Sequence, residues 1–191
     1  MPHYTRSGDD GHTTLYGGGR VPKHHQQPET YGAVDEATSA FGLARSLAIS
    51  DRTKSIIEEI QRHLYLVMAE LATAPNATID RRHITTAGHV DRLESIAAEL
   101  EADAPLTKEF ILPGETPAAA ALDVARTTVR RAERETSRLM ATGHPLNPQI
   151  LRYLNRTSSV AFDLARYEEH LAGRAAPQAA ESDTNAHPNN Q

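Results

Sequence analysis

The chain has 191 residues, a net charge of −5 and no cysteine, so it can bury one core of ordinary size, while disulfides, thiolate metal sites and cysteine nucleophiles are excluded. The acidic balance argues against general nucleic-acid affinity, which calls for a basic face, and directs attention to local arginine clusters and a discrete anionic ligand. No charged-then-apolar leader opens the chain, and its most apolar stretch, around 118–125, is too short and alanine-rich to span a bilayer, so a soluble cytoplasmic protein without a membrane anchor is expected.

Residues 1–29 show neither helical nor strand period and are rich in Gly, His and Pro, which predicts an extended loop ahead of a helical domain over 30–173. Thr30 is the expected cap of a first helix running to about Ile49, with Val34, Phe41 and Ala48 recurring every seventh residue. Ser50 or Asp51 caps a second, whose Ile56, Ile60, Leu64, Val67 and Leu71 form a periodic stripe ending near Thr73. A third is expected from about Asp80 to Glu101, burying Val90, Leu93, Ile96, Ala97 and Leu100. After an aperiodic segment from Phe110 to Gly114, Thr116 and Pro117 read as the cap and first residue of a fourth helix, to about Ala141. Asn147–Pro148 opens a fifth, to about Gly173. Residues 174–191 hold almost no large apolar side chains and are expected to be disordered. No long strand alternation occurs, so the fold class is all-α: a four-helix bundle with a fifth helix, antiparallel because the connections are short.

Chemistry concentrates in the fourth helix. Leu122, Ala125, Val129, Ala132, Thr136 and Leu139 make its buried stripe, and Arg126, Arg130, Glu133 and Arg134 fall on the flank of that stripe. Arginine stands at every basic position between 126 and 134, and its rigid fork suits bidentate phosphate or carboxylate contacts. No Walker loop, dinucleotide fingerprint or Glu-x-x-His pair for a di-iron bundle occurs, Glu59 and His63 read as a surface pair, and the other histidines lack ligand spacing. Four separated segments remain that suit a polyanion such as a nucleoside triphosphate: the loop 5–14, Arg20 with Lys23, the arginine helix, and Tyr153-Leu154-Asn155-Arg156.

Six motifs follow in order: Thr5-Arg6-Ser7-Gly8-Asp9 with Thr13-Thr14-Leu15; Arg20 with Lys23; Tyr31 through Glu36; Phe110 through Gly114; Arg126 with Arg130 through Arg134; and Tyr153 through Arg156. Together they resemble the PduO-type ATP:cob(I)alamin adenosyltransferases over roughly residues 4–172. The resemblance implies a homotrimer of five-helix subunits with active sites between neighbours. It also implies ATP, Mg2+ and cob(I)alamin (with cob(II)alamin as its precursor) at the site, a flavoprotein reductant, and an adenosylcobalamin-dependent enzyme downstream. By motif, Thr5, Arg6, Ser7, Gly8, Thr13, Thr14 and Lys23 match a triphosphate cradle, and Arg130, Glu133, Arg134 and Asn155 match nucleotide contacts from the neighbouring subunit, Glu133 also toward the metal. Asp35 and Arg126 match a pair that bridges two subunits, and Phe110 matches the aromatic residue beneath the corrin. Each has a plainer alternative: for Asp35 a cap or pair on its own helix, for Phe110 a core residue anchoring a loop, and for Glu133 a residue that orients an arginine.

Two departures from the family pattern stand out. Ser159 occupies a position where an aspartate is common, after Thr157 in place of leucine, and Glu115 replaces a second glycine behind Phe110. These leave a second class of function open beside the transferase, a trimeric carrier that binds and delivers adenosylcobalamin with little turnover.

Overall fold

A computed structural model of the chain describes residues 6–77, 84–104 and 110–178. Two short strands, β1 (His12–Thr14) and β2 (Arg20–Pro22), pair antiparallel with Thr13 opposite Val21. Five helices follow: α1 (Gln26–Leu47), α2 (Asp51–Ala72), α3 (Ala87–Asp103), α4 (Pro117–Ala141) and α5 (Pro148–Leu171). α1, α2, α4 and α5 form the bundle, in which α4 lies between α1 and α5, and α3 docks on the outside of α5.

Most helix ends obey local chemistry. Ser50, Thr116 and Asn147 each accept a backbone N–H through the side chain, and Pro117 and Pro148 occupy first-turn positions where no N–H is missed. Two starts differ from expectation. α1 begins one turn early, capped by His25 Nδ1, which accepts the Gln27 N–H at 3.2 Å. Thr30 is instead buried inside the helix, where its hydroxyl lies 2.7 Å from the Gln26 carbonyl and 3.2 Å from the Glu135 carbonyl of α4. α3 begins at Ala87 because Ile84–Thr86 stay extended to meet the bundle, the expected start near Asp80 lying outside the described residues. Glu70 Oε1 accepts the Thr85 N–H, while Asn147 donates to both Glu70 Oε2 (2.9 Å) and the Thr85 carbonyl (2.7 Å).

The core is aliphatic. Phe41, Ile57, Ile60, Leu64, Leu71, Ile96, Leu122, Leu154 and Leu164 are fully buried or nearly so, each contributing about 1.5–3 kcal/mol relative to exposure. At one end Glu168 of α5 accepts the backbone N–H groups of Ile49 (2.8 Å) and Ser50 (3.2 Å), so a side chain from another helix satisfies the turn into α2. His63 does not pair with Glu59 on the surface. Glu59 instead meets Arg92 of α3, and the His63 ring stacks 4.4 Å from His89 with Tyr153 edge-on at 5.7 Å, because that face of α2 turns into the seam with α3 and α5. Among the described residues no helix is long and apolar enough to cross a membrane.

Candidate active site

All six positions of the α4 stripe, from Leu122 to Leu139, are buried at 1% exposure or less. Burying that stripe fixes the rotation of α4, and the rotation separates its arginines into different surroundings. Arg126 is half-buried, and its Nε donates to Asp123 Oδ1 at 3.0 Å. Asp123 also accepts from Arg166 Nη2 of α5 at 3.0 Å, and Arg166 in turn reaches Glu169 at 2.9 Å and covers the Phe162 ring. Arg131 pairs with Glu36 of α1. Arg130 is exposed and, among the described residues, makes no hydrogen bond or ion pair, which leaves its whole fork free for a ligand. Arg134 is likewise exposed, next to a buried Glu135 whose carboxyl is held below its ordinary range by a 2.9 Å hydrogen bond from Gln26 and by Arg138.

A groove of about 340 Å³ lies between α4 and α5, lined by Arg126, Arg130, Ser158, Ser159, Phe162 and Asp163. Asp163 is 8% exposed, and burial, with Glu101 of α3 nearby, pushes its carboxyl up to about 6. Beside the groove, Asn155 Nδ2 donates to Glu133 Oε1 at 3.0 Å, and Asn155 Oδ1 accepts from Arg156 Nη1 at 2.8 Å. The pairing orients Glu133 and leaves its second oxygen available, a single half-buried carboxylate of the kind Mg2+ uses with nucleotide phosphates. No cluster of three or more metal-binding side chains occurs among the described residues. Thr157, one of the departures, is buried and hydrogen-bonds only to the Tyr153 carbonyl of its own helix.

The N-terminal hairpin forms a second, separate constellation. Gly8 lies against Lys23, since a Cβ at Gly8 would fall 3.2 Å from Lys23 Nζ and 3.2 Å from the His12 carbonyl. The Lys23 N–H donates to the Gly11 carbonyl at 2.9 Å, which closes the loop around both residues. Arg20 braces the loop through Nη2, which donates to the Ser7 carbonyl (2.8 Å) and to Asp10 (2.8 and 3.0 Å), while its side chain remains exposed. Arg6 adopts φ 58, a left-handed conformation uncommon for a non-glycine residue, and Ser7 and Thr14 are exposed while Thr13 is half-buried. Thr5 lies outside the described residues. The hairpin docks on the end of α2, with the Tyr16 N–H donating to the Ala72 carbonyl and the Tyr16 carbonyl accepting from Ala74, both at 2.8 Å. That approach requires Gly17, where a Cβ would meet Ala77 at 2.3 Å and φ is 83.

Asp35 is exposed on α1, beside a shallow apolar hollow lined by Tyr16, Tyr31, Tyr65 and Met68. Arg126 faces the α4/α5 groove and Asp35 this hollow between α1 and α2, so the two lie on different faces of the subunit. Phe110 is 90% exposed and therefore no core anchor. Behind it, the start of the expected disordered tail is ordered: the Leu112 N–H donates to the Pro177 carbonyl at 2.8 Å, Ile111 bridges Gln178, and Arg174 approaches Glu115 at 3.4 Å. Residues 179–191 lie outside the described residues. One chain thus carries two separate clusters, Gly8 with Lys23 in the hairpin and Arg126, Arg130, Glu133 and Asn155 beside the α4/α5 groove. Sequence reasoning missed Asp123, Arg166 and Asp163, although Asp123 stands three residues before Arg126 and Asp163 four after Ser159, spacings that share a helix face.

The profile of the cobalamin adenosyltransferase family matches residues 3–168. The corrinoid adenosyltransferase PduO of Salmonella typhimurium is 36% identical over 175 residues, covering 92% of this chain and 52% of that protein, so the chain spans about half the length of this relative. A corrinoid adenosyltransferase of Mycobacterium tuberculosis is 38% identical over 167 residues, covering 85% of this chain and 86% of its own. The structure of a variant PduO-type ATP:corrinoid adenosyltransferase from Lactobacillus reuteri, complexed with cobalamin and ATP, superimposes with a TM-score of 0.84 at 34% identity, covering 95% of this chain and 98% of that one.

Proposed function

Because the chain belongs to the cobalamin adenosyltransferase family, we propose that it transfers the 5′-deoxyadenosyl group of ATP to cob(I)alamin, giving adenosylcobalamin and triphosphate. The observation that supports this reading is that one chain carries two separate clusters, each with an exposed cation, Lys23 in the hairpin loop and Arg130 beside the α4/α5 groove. A homotrimer in which the hairpin of one subunit meets the arginine flank of the next completes the site, and it sets Asp35 of one subunit toward Arg126 of its neighbour.

In this reading the 1–29 segment is the nucleotide loop of a 30–173 helical domain. Gly8, Ser7, Thr13, Thr14 and Lys23 hold the triphosphate, with Thr5 and Arg6 completing the loop, and Arg130, Arg134, Glu133 and Asn155 hold the nucleotide from across the seam. Glu133, through the oxygen not bonded to Asn155, would hold a Mg2+ brought by the nucleotide, which would supply neutralisation of phosphate charge. The cobalt(I) electron pair attacks C5′, a Co–C bond forms, the C5′–O bond breaks, and its electrons leave with triphosphate. Cobalt(I) is nucleophilic enough to need no general base. The protein contributes alignment, worth roughly 7–11 kcal/mol when geometry is near attack, and stabilises the leaving group with its cations. Phe110, exposed at the end of its loop, covers the lower corrin face and excludes axial ligands, which makes cob(II)alamin easier to reduce by a flavoprotein before transfer.

An anaerobic assay with MgATP and cob(I)alamin tests the proposal. Repeated turnover with triphosphate formed in step is expected. A single burst stoichiometric with sites would replace the enzyme with a carrier that delivers adenosylcobalamin to a dependent enzyme, and no reaction at all would end both readings.

A further inference from the structure

Asp163 is a largely buried residue whose carboxyl oxygens open on the α4/α5 groove and, among the described residues, have no protein partner. It lies one helical turn beyond Ser159 on the same strip of α5 and lines the groove with Arg126, Arg130 and Phe162. Only 8% of the residue is exposed, and among the described residues its side chain makes no hydrogen bond or ion pair. The charged groups around it are Arg126 and Arg130 on α4 and Glu101 on α3, of which Arg126 is already committed to Asp123 and Glu101 is of like charge.

A carboxyl taken from water without a hydrogen-bond partner weakens a fold, and an apolar side chain of similar size would serve the packing better. No protein group among the described residues engages its acceptor oxygens, which open on the groove and are available to a donor that enters it. The groove tells what that donor accompanies, because a free guanidinium on one wall and an aromatic ring on the other suit a ligand with an anionic part and a flat part.

We propose that Asp163 is a substrate-binding residue of the α4/α5 groove, its carboxylate accepting a hydrogen bond from a neutral N–H or O–H group of the substrate held beside Arg130. This rests on the adenosyltransferase reading, in which both substrates carry such donors: the nucleotide in its exocyclic amine and ribose hydroxyls, the corrinoid in its peripheral amides.

Equilibrium titration of the full chain with ATP, and of the ATP-loaded protein with cob(II)alamin, separates the two sources in wild type, Asp163→Asn and Asp163→Leu, with thermal melting followed alongside. In both variants one dissociation constant rises about tenfold or more, the other stays within about twofold, and the melting temperature rises because an unpaired buried carboxyl has gone. The constant that moves identifies the substrate carrying the donor. Unchanged constants for both ligands overturn the proposal, and so does a lower melting temperature in both variants, which would make Asp163 a support of the fold. Transfer by the wild type together with unchanged constants overturns this proposal alone, whereas wild-type protein that binds neither ligand overturns it and the adenosyltransferase reading together.

Discussion

Arg130 and Arg126 are four residues apart on one helix, yet they stand in different chemical states. Arg126 is paired with Asp123, whereas Arg130 makes no hydrogen bond or ion pair among the described residues, so in the proposed function the charge open to the nucleotide is at 130. Arg130→Ala should lower turnover by about a hundredfold or more, in line with the loss of one preorganised charge contact, while circular dichroism shows unchanged helicity. Full activity in that variant would remove the arginine flank from the site. Two carboxyls make opposite contributions to stability as pH changes. The folded chain holds a proton on Asp163 up to about 6, whereas the unfolded chain releases it near 3.8, so the folded state binds more protons between these values and stability falls as pH rises through that window. Asp163→Asn should therefore stabilise the protein more at about pH 7.5 than at about pH 4, as read from melting curves at both. Glu135, held below its ordinary range first by Gln26 and then by Arg138, stabilises in full above that range and loses its contribution as pH falls through its lowered pKa.

Elements are held in this bundle by side chains that reach across it. Glu168 of α5 accepts two backbone N–H groups at the entry to α2, and no residue adjacent in sequence to that turn can replace it. Glu168→Ala should cost about 1–3 kcal/mol in urea unfolding, since two donors lose a buried acceptor. A change below the error of the measurement would mean that solvent satisfies the turn. The segment that presents Phe110 is similarly fastened from a distance, by the Leu112 N–H to the Pro177 carbonyl. Removing residues 174–191 should speed hydrogen exchange at the Leu112 amide while leaving the amides of α4 protected.

On the scale of the whole molecule, the hairpin fastens to α2 while the arginine flank opens on the α4/α5 groove. If two copies share each site, Lys23→Ala and Arg130→Ala, each inactive alone, should recover activity when mixed under conditions that exchange subunits, and the recovered species should sediment as a trimer of 20.9 kDa chains. Absence of recovery despite demonstrated exchange would place the whole site within one chain.

The stripe of α4, the caps at Ser50, Thr116 and Asn147 and the all-α class were legible in the sequence because they depend on periodicities and side-chain-to-backbone bonds spanning three or four residues. The ordered motifs led to the family by the same local route. What lay outside that reach was every contact between residues distant along the chain. The holding of Asp123 by Arg166, the bond from Arg20 to Asp10, the fastening of Leu112 by Pro177 and the burial of Asp163 each depend on segments that meet only in the folded chain. Local pattern determined which side chains flank the buried stripe; only the packed bundle decided which of those charges are neutralised by neighbours and which remain for a substrate, because ion pairing and desolvation depend on distances between elements and not on spacing within one.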